Sequence, residues 1–174
     1  MSSPQAPVPS LALVVVDLMP RVIEQEMAPH GGAAVVERAV RLADAFRAKG
    51  LPVALVVTER PNVAEQPPGG GFAAELVPEQ GDIVVVKRTV GALHGTGLAE
   101  ALRERGADTL VLAGLATSMG VESTARAASD AGFELVFPED AMSGMTAPEH
   151  ENSVTRVFPR FGEVTTTAEV LTRI

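Results

Sequence analysis

Residues 109–125 read Thr-Leu-Val-Leu-Ala-Gly-Leu-Ala-Thr-Ser-Met-Gly-Val-Glu-Ser-Thr-Ala. The first five are mostly apolar, as in a strand that is buried on both faces. After a turn that ends near Gly120, the pattern becomes helical and stops at Gly132. This order of strand, tight turn and helix is the building unit of an α/β fold with a parallel sheet.

Gly120 occupies the turn of this unit, directly before the helix. Unpaired backbone N–H groups and the positive end of the helix dipole gather at a helix N-terminus. Such a place suits a thiolate or a developing oxyanion. The chain has no cysteine and has glycine at this position. We therefore expect no chemistry that depends on a thiol.

Similar units extend in both directions from this stretch. The chain contains six short apolar runs, and helical patterns lie between most of them. These patterns are at residues 33–49, 98–105, 121–131 and 149–158. Residues 58–81, rich in proline and glycine, instead predict a long loop or a weak helix. The alternation predicts an α/β fold, a three-layer α/β/α sandwich with a mainly parallel sheet of about six strands. The six apolar runs are Leu11–Val16, Val53–Val57, Ile83–Val86, Thr109–Ala113, Leu135–Phe137 and Val164–Thr167.

Length, net charge and the lack of long apolar runs limit the number of domains, the partners and the location that we expect. The 174 residues suit a single domain, 1–174, in which residues 1–9 are expected to form a flexible tail. The formal net charge of −8 argues against nucleic acid and anionic membranes as partners. No run is long enough to span a membrane, and the N-terminus has no basic residue, so we expect a cytoplasmic protein.

Three polar residues come at or just after the ends of predicted strands. They are Asp17, Glu59 and Lys87, the last being one of only two lysines in the chain. Parallel sheets bind ligands at the carboxyl ends of their strands. Each residue alone could cap a turn or reach to the surface. Together with Gly120, Asp17 and Lys87 form three convergent points and predict a site.

These motifs, in their order and spacing, resemble the isochorismatase-like hydrolases, also called the cysteine hydrolase superfamily. The resemblance covers residues 11–171. In chain order the motifs are Leu11-Ala-Leu-Val-Val-Val-Asp17, Asp82-Ile-Val-Val-Val-Lys87, Gly95-Thr-Gly-Leu98, Leu110-Val-Leu-Ala-Gly114, Thr117-Ser-Met-Gly-Val-Glu-Ser-Thr-Ala125, Asp140-Ala-Met-Ser143 and Thr165-Thr-Thr-Ala-Glu-Val170.

The resemblance implies a catalytic set of Asp17, Lys87 and Gly120, with Gly120 where most of the family has cysteine. It implies a cis peptide bond before Ala116. It also implies the chemistry of the isochorismatases proper, in which an aspartic acid protonates a vinyl ether and water attacks the resulting cation. No cofactor and no metal is needed, and the partner is a small-molecule substrate. The substrate-binding positions that it implies are Ala116, Thr117, Met19, Leu93 and Glu59.

The chain departs from the family pattern at several of these positions. Met19 stands where glutamine is frequent, Leu93 stands where an aromatic residue is usual, and the loop around Glu59 does not match one that binds isochorismate. The Asp/His/His metal cluster of nicotinamidases is missing. His30, His94 and His150 share no metal-binding spacing, so each is expected to be a surface or locally hydrogen-bonded residue.

Other interpretations stay open at this point. The chain could be a non-catalytic binding protein on a hydrolase fold that has lost its nucleophile. Alternatively, Gly120 could be an engineered change in a cysteine amidase. The pKa of Asp17 is also undecided, because burial would raise it and a neighbouring Lys87 would lower it. The family further implies a homodimer or a higher homo-oligomer.

Overall fold

The computed structural model describes residues 10–174, so the predicted tail at residues 1–9 lies outside the described part of the chain. Within residues 10–174, seven strands form one sheet, and six α-helices lie around it on both sides. The strands are β1 (Leu11–Val16), β2 (Val53–Thr58), β3 (Ile83–Lys87), β4 (Thr109–Leu115), β5 (Glu134–Pro138), β6 (Met142–Ser143) and β7 (Gly162–Thr165). The helices are α1 (Pro20–Ile23), α2 (Gly32–Ala48), α3 (Leu98–Glu104), α4 (Glu122–Asp130), α5 (Ala147–Asn152) and α6 (Thr167–Leu171).

The sheet places β1 and β4 side by side at its centre. Its order is β3-β2-β1-β4-β5-β7, with β6 paired to β4, and every strand pair is parallel. From β1 the chain builds outward to β3, then returns to β4 and builds the other half. A crevice therefore opens beyond the carboxyl ends of β1 and β4, where the direction of winding reverses, and such crevices bind ligands.

Alternate residues of the central strands enter two separate cores. Leu13 and Val15 of β1 pack beneath α2, whose Phe46 is fully buried. Val14 and Val16 face the opposite side, where α3 and α4 lie. Strands buried on both faces are uniformly apolar, which is why these runs do not alternate in sequence. The predicted α/β/α sandwich is confirmed, with seven strands rather than about six.

The predicted strand 164–167 is wrong at its C-terminal end. β7 ends at Thr165, and Thr166 caps α6. The Thr166 hydroxyl accepts a hydrogen bond from the backbone N–H of Glu169, while the Glu169 carboxylate accepts one from the backbone N–H of Thr166. This reciprocal capping box overrides the β propensity of the three consecutive threonines.

Other boundaries also differ from those expected. The predicted helix 149–158 begins at Ala147 and is α-helical only to Asn152, after which a π-turn and a 3₁₀ turn continue to Arg160. The edge strand β3 alternates, because Val84 and Val86 face away from the sheet core. The proline- and glycine-rich stretch 59–82 forms a loop without helix or strand. Within residues 10–174, no helix is long and apolar enough to cross a membrane.

Candidate active site

Four residues meet at the carboxyl edge of the sheet. Asp17 follows β1, Thr58 ends β2, Lys87 ends β3 and Gly120 lies just beyond β4. The Asp17 Oδ2 atom is 2.8 Å from the Lys87 Nζ atom. The Thr58 hydroxyl donates a 2.8 Å hydrogen bond to Asp17 Oδ1. The predicted convergence of Asp17, Lys87 and Gly120 is therefore present in the structure.

The Asp17 carboxyl group is largely desolvated. Asp17 is 9% exposed, and its chain neighbours Val16, Leu18 and Met19 are also buried. Its backbone adopts a left-handed conformation, with φ of 55°, which aspartate tolerates better than most residues. Burial raises the pKa of the Asp17 carboxyl above its ordinary value, although Lys87, Thr58 and Arg21 each lower it. Desolvation thus outweighs the neighbouring ammonium group, so the net direction is upward.

The Lys87 side chain is almost completely buried, at 2% exposure. Its ammonium group contacts Asp17 and donates a 3.1 Å hydrogen bond to the backbone carbonyl of Thr89. A buried ammonium needs such partners, because an unpaired buried charge is very costly. These two contacts hold the ammonium group beside one oxygen of the carboxyl group.

Gly120 faces this pair from a short π-helical turn, Thr117–Val121, that leads into α4. A Cβ atom at residue 120 would lie 3.2 Å from Asp17 Oδ2 and 3.0 Å from a Val16 methyl carbon. A side chain here would therefore lie against the carboxylate, and glycine leaves that space to a ligand. The peptide bond between Leu115 and Ala116 is cis, as the resemblance implied.

A cavity of about 700 Å³ opens onto these residues. This volume is typical of sites for small molecules. Two acidic residues line the cavity, Asp17 and Glu59. Four basic residues line it as well, namely Arg21, Arg60, Lys87 and Arg88. No histidine among residues 10–174 lines it, so it offers no imidazole ligands for a metal.

The predicted substrate-binding residues divide into two groups. Met19, Glu59 and Ala116 line the cavity, and Glu59 forms a 2.6 Å ion pair with Arg88. Thr117 and Leu93 do not line it. The Thr117 hydroxyl is fully buried and contacts His150, while Leu93 packs against the apolar core on the α3 and α4 side. The structure thus places these two side chains away from the cavity.

Sequence reasoning missed Thr58 and Arg21. Thr58 is the polar residue that directly follows the second apolar run and precedes Glu59, so a signal existed. Arg21 had no comparable signal, because its role depends on the loop that it contacts. Its guanidinium donates hydrogen bonds to the backbone carbonyls of Thr58 and Pro67, at 2.6 and 3.5 Å, and so joins the end of β2 to the long loop.

The sequence predicts that His30 and His150 are each a surface or locally hydrogen-bonded residue; His30 is partly exposed and His150 contacts the Thr117 hydroxyl, but the two rings also lie against each other. His150 is 4% exposed, and its ring packs edge-on against that of His30, with the ring centres 6.0 Å apart. Burial lowers the pKa of the His150 imidazole, and this outweighs the opposing effect of the Glu139 carboxylate. His94, in contrast, is exposed as expected. The two histidines are 120 residues apart in sequence, so no spacing pattern could have shown their contact.

Known proteins resemble this chain along nearly its whole length. Residues 11–169 match the model of the isochorismatase domain. An uncharacterized isochorismatase family protein of Escherichia coli O157:H7, YecD, is 40% identical over 92% of this chain and 94% of its own length. An isochorismatase family protein from Burkholderia thailandensis superposes with a TM-score of 0.87 at 36% identity, covering 95% of this chain and 96% of its own. The N-carbamoylsarcosine amidase of Thermoplasma acidophilum superposes with a TM-score of 0.80 at 29% identity, covering 91% and 96%.

Proposed function

Because the chain belongs to the isochorismatase family, we propose that it hydrolyses a vinyl or enol ether of a small organic anion, with Asp17 as general acid. The observation that supports this most directly is the raised pKa of the Asp17 carboxyl beside Gly120, which has no side chain that could attack a substrate. A general acid must hold its proton before the reaction, and burial favours the protonated form. Cysteine-dependent members of the family use a thiol at this site. In this chain the same site is suited to proton transfer.

The proposed reaction has three steps. Asp17 transfers its proton to the terminal vinyl carbon, whose π electrons form the new C–H bond and leave an oxocarbenium ion. A water molecule adds to the cationic carbon, and its released proton returns to the Asp17 carboxylate. The C–O bond between the hemiketal carbon and the former ether oxygen then breaks, and the hemiketal hydroxyl proton is transferred to that oxygen, giving an alcohol and a ketone. The net reaction consumes one water molecule, and no covalent intermediate with the protein is formed.

Lys87 and Gly120 have supporting roles in this scheme. After the proton has left, the Asp17 carboxylate is stabilised by the Lys87 ammonium at 2.8 Å and by the Thr58 hydroxyl. The carboxylate in turn stabilises the oxocarbenium ion above it. Because Gly120 has no side chain, the substrate can approach the carboxyl oxygen that a Cβ atom would otherwise contact at 3.2 Å.

The charges around the cavity favour an anionic substrate. Glu59 pairs with Arg88, and these two charges compensate each other, whereas a protonated Asp17 leaves the charge of Lys87 uncompensated. Arg21 and Arg60 remain, and among the described residues neither forms an ion pair with a carboxylate. Two uncompensated guanidinium groups suit a carboxylate on the substrate.

A second candidate is supported by the missing thiol. The amidase from Thermoplasma acidophilum shares the fold, and a relative of such an enzyme without a nucleophile would bind small molecules and not turn them over. In that case Asp17 and Lys87 would serve only to bind the ligand. The same experiment distinguishes this binding protein from the proposed hydrolase.

The test is a screen of carboxylated enol ethers for release of the ketone, with the wild-type protein and Asp17→Asn. Asparagine keeps the shape and removes the proton donor, so we expect kcat to fall by at least about 100-fold, the usual contribution of general acid catalysis. Asp130→Asn is the matched control, because Asp130 is exposed and outside the cavity. Equal activity of wild type and Asp17→Asn would refute the acid role. Absence of turnover, together with thermal stabilisation by the same compounds, would favour the binding protein.

A further inference from the structure

His30, Glu139 and His150 converge on one point outside the cavity that contains Asp17. His30 lies in the loop between α1 and α2, Glu139 follows β5, and His150 belongs to α5. The Glu139 Oε2 atom is 3.5 Å from His150 Nε2 and 4.0 Å from His30 Nε2. One ligand atom from each residue lies within 4.8 Å of the other two.

Two groups of this cluster, the His30 Nε2 atom and the Glu139 carboxylate, lack a hydrogen-bond partner among residues 10–174. Within the described part of the chain, the buried His30 Nε2 atom makes no hydrogen bond. Among residues 10–174 the Glu139 carboxylate accepts no hydrogen bond with good geometry, and its 3.5 Å approach to His150 is long for one. Leaving a buried polar atom without a partner is costly, so an orphaned nitrogen facing a carboxylate needs an explanation.

Hydrogen bonds to neighbouring residues hold His150 and the loop of His30 in place. The Thr117 hydroxyl oxygen lies 2.9 Å from His150 Nδ1, on the side of the ring away from Glu139. With Nδ1–H as donor to Thr117, the lone pair of Nε2 points into the cluster. Metal-binding histidines are usually oriented in this way, by a hydrogen bond from the other ring nitrogen. The backbone N–H of His30 donates to the Ser143 hydroxyl at 3.1 Å, which fixes the loop.

From this geometry we infer that His30, Glu139 and His150 bind a divalent transition-metal ion of the Zn²⁺ class. Two imidazoles and one carboxylate are a typical donor set for such ions. Metal–ligand bonds of about 2.0–2.2 Å in a tetrahedron place the donor atoms about 3.4 Å apart. The spacings of 3.5 and 4.0 Å to Glu139, and of at most 4.8 Å between the two imidazoles, would shorten to this value by side-chain rotation.

Water can supply the fourth ligand, because a cavity of about 280 Å³ adjoins the cluster. Glu139 and His150 line this cavity together with Pro29, Ala147 and Glu151. It shares no lining residue with the cavity around Asp17. Metal ions can therefore enter from solvent without passing the proposed active site.

The metal would stabilise the turn that contains Gly120. Thr117 is the first residue of the π-helical segment that includes Gly120, and it contacts His150 directly. A metal that holds His150 in place therefore also holds the start of this turn. The role of the site is structural, and the ion takes no part in the chemistry at Asp17.

The test measures metal binding and stability and does not depend on turnover. The full chain without an affinity tag is treated with a chelator, and Zn²⁺ or Co²⁺ alone is then added. We expect one equivalent of Zn²⁺ to bind in calorimetry, Co²⁺ to give visible d–d absorption, and the melting temperature to rise. His30→Gln and Glu139→Gln should each weaken binding by at least about tenfold. His94→Gln is the matched control, because His94 is exposed and remote from the cluster, and it should bind as the wild type does.

Two results would overturn the inference. One is that the chelated wild type binds no Zn²⁺ at millimolar concentration. The other is that Zn²⁺ binds equally well to the wild type, His30→Gln and Glu139→Gln, which would place the ion elsewhere. Circular dichroism of each variant verifies that it is folded, and because His30 and Glu139 are both partly exposed, either variant alone decides the question. Neither result affects the proposed role of Asp17, which the enol ether assay measures separately.

Discussion

Opposing effects act on one carboxyl group, that of Asp17. Burial disfavours its charged form, while the ammonium of Lys87, the hydroxyl of Thr58 and the guanidinium of Arg21 favour it. The net direction is upward, so Asp17 retains its proton to a higher pH than an ordinary aspartate. Since the proton is the reagent in the proposed reaction, activity should be lost as the pH rises through this pKa, and not as it falls.

At the residue scale, Thr58→Val tests this balance. Valine keeps the shape but removes the hydrogen bond to the ionised Asp17 carboxylate, so the pKa of Asp17 should rise further. We expect the descending limb of kcat/KM to move about 1 pH unit higher, given that a hydrogen bond to a charged group is worth about 1.5 kcal/mol or more. The measurement is the pH profile of kcat/KM with the best enol ether substrate.

Thr89→Val is the matched control for this profile. Thr89 also lines the cavity, but its hydroxyl donates to the backbone carbonyl of Gly91 and makes no hydrogen bond to Asp17. Thr89→Val should leave the descending limb of the kcat/KM profile at the wild-type pH, even if kcat/KM itself changes. If Thr58→Val shifted the limb to lower pH, Asp17 could not be the titrating group.

Among the secondary-structure elements, α6 shows how local chemistry sets a boundary. Three consecutive threonines favour a strand, yet the strand ends at Thr165 because Thr166 and Glu169 cap a helix. The helix then buries Val170 in the core beneath α2. Local hydrogen bonds and burial of an apolar side chain thus outweigh intrinsic propensity over only a few residues.

Thr166→Ala should destabilise the protein, because it removes the side-chain acceptor of the cap. We expect the free energy of unfolding to fall by about 1 kcal/mol, with a melting temperature lower by about 2–4 °C. Thr155→Ala is the control, since the Thr155 hydroxyl only donates to a carbonyl one turn earlier in an exposed segment. It should change the stability by less than about 0.5 kcal/mol. Equal losses in both variants would mean that the capping box contributes nothing specific.

For the whole molecule, the distribution of charge is uneven. The chain has a formal net charge of −8, but the cavity is lined by four basic and two acidic residues. A local basic patch on an acidic protein attracts small anions at short range, while the overall charge repels polyanions such as nucleic acid. This contrast fits a site for one small carboxylate.

Arg60→Gln should therefore weaken binding of a carboxylated ligand without changing the rate of its conversion. An exposed ion pair is worth about 0.2–1 kcal/mol, so we expect KM to rise about twofold to fivefold and kcat to stay the same. Added salt should reduce the wild-type affinity in the same direction. Arg160→Gln, an exposed arginine outside the cavity, is the control. An unchanged KM for Arg60→Gln would indicate that the substrate anion binds elsewhere.

Much of the fold was predictable from local patterns. Uniform apolar runs predicted β1, β2 and β4, because strands buried on both faces have no polar side to show. The positions of Asp17, Lys87 and Gly120 followed from the same argument, since parallel strands bring their carboxyl ends to one edge. The short strand β6 was not predictable, because two residues give no period.

The order of residues along the chain was sufficient to predict a parallel α/β sandwich and the side chains at its carboxyl edge, since both depend on patterns within single elements. Only the tertiary structure decided the direction of the Asp17 pKa, the turning of Thr117 and Leu93 away from the cavity, and the meeting of His30, Glu139 and His150. Each of these depends on how deeply an atom is buried and on which distant segment packs against it. The burial of a particular polar atom and its contacts with distant segments are properties of the folded molecule, and no local pattern encodes them.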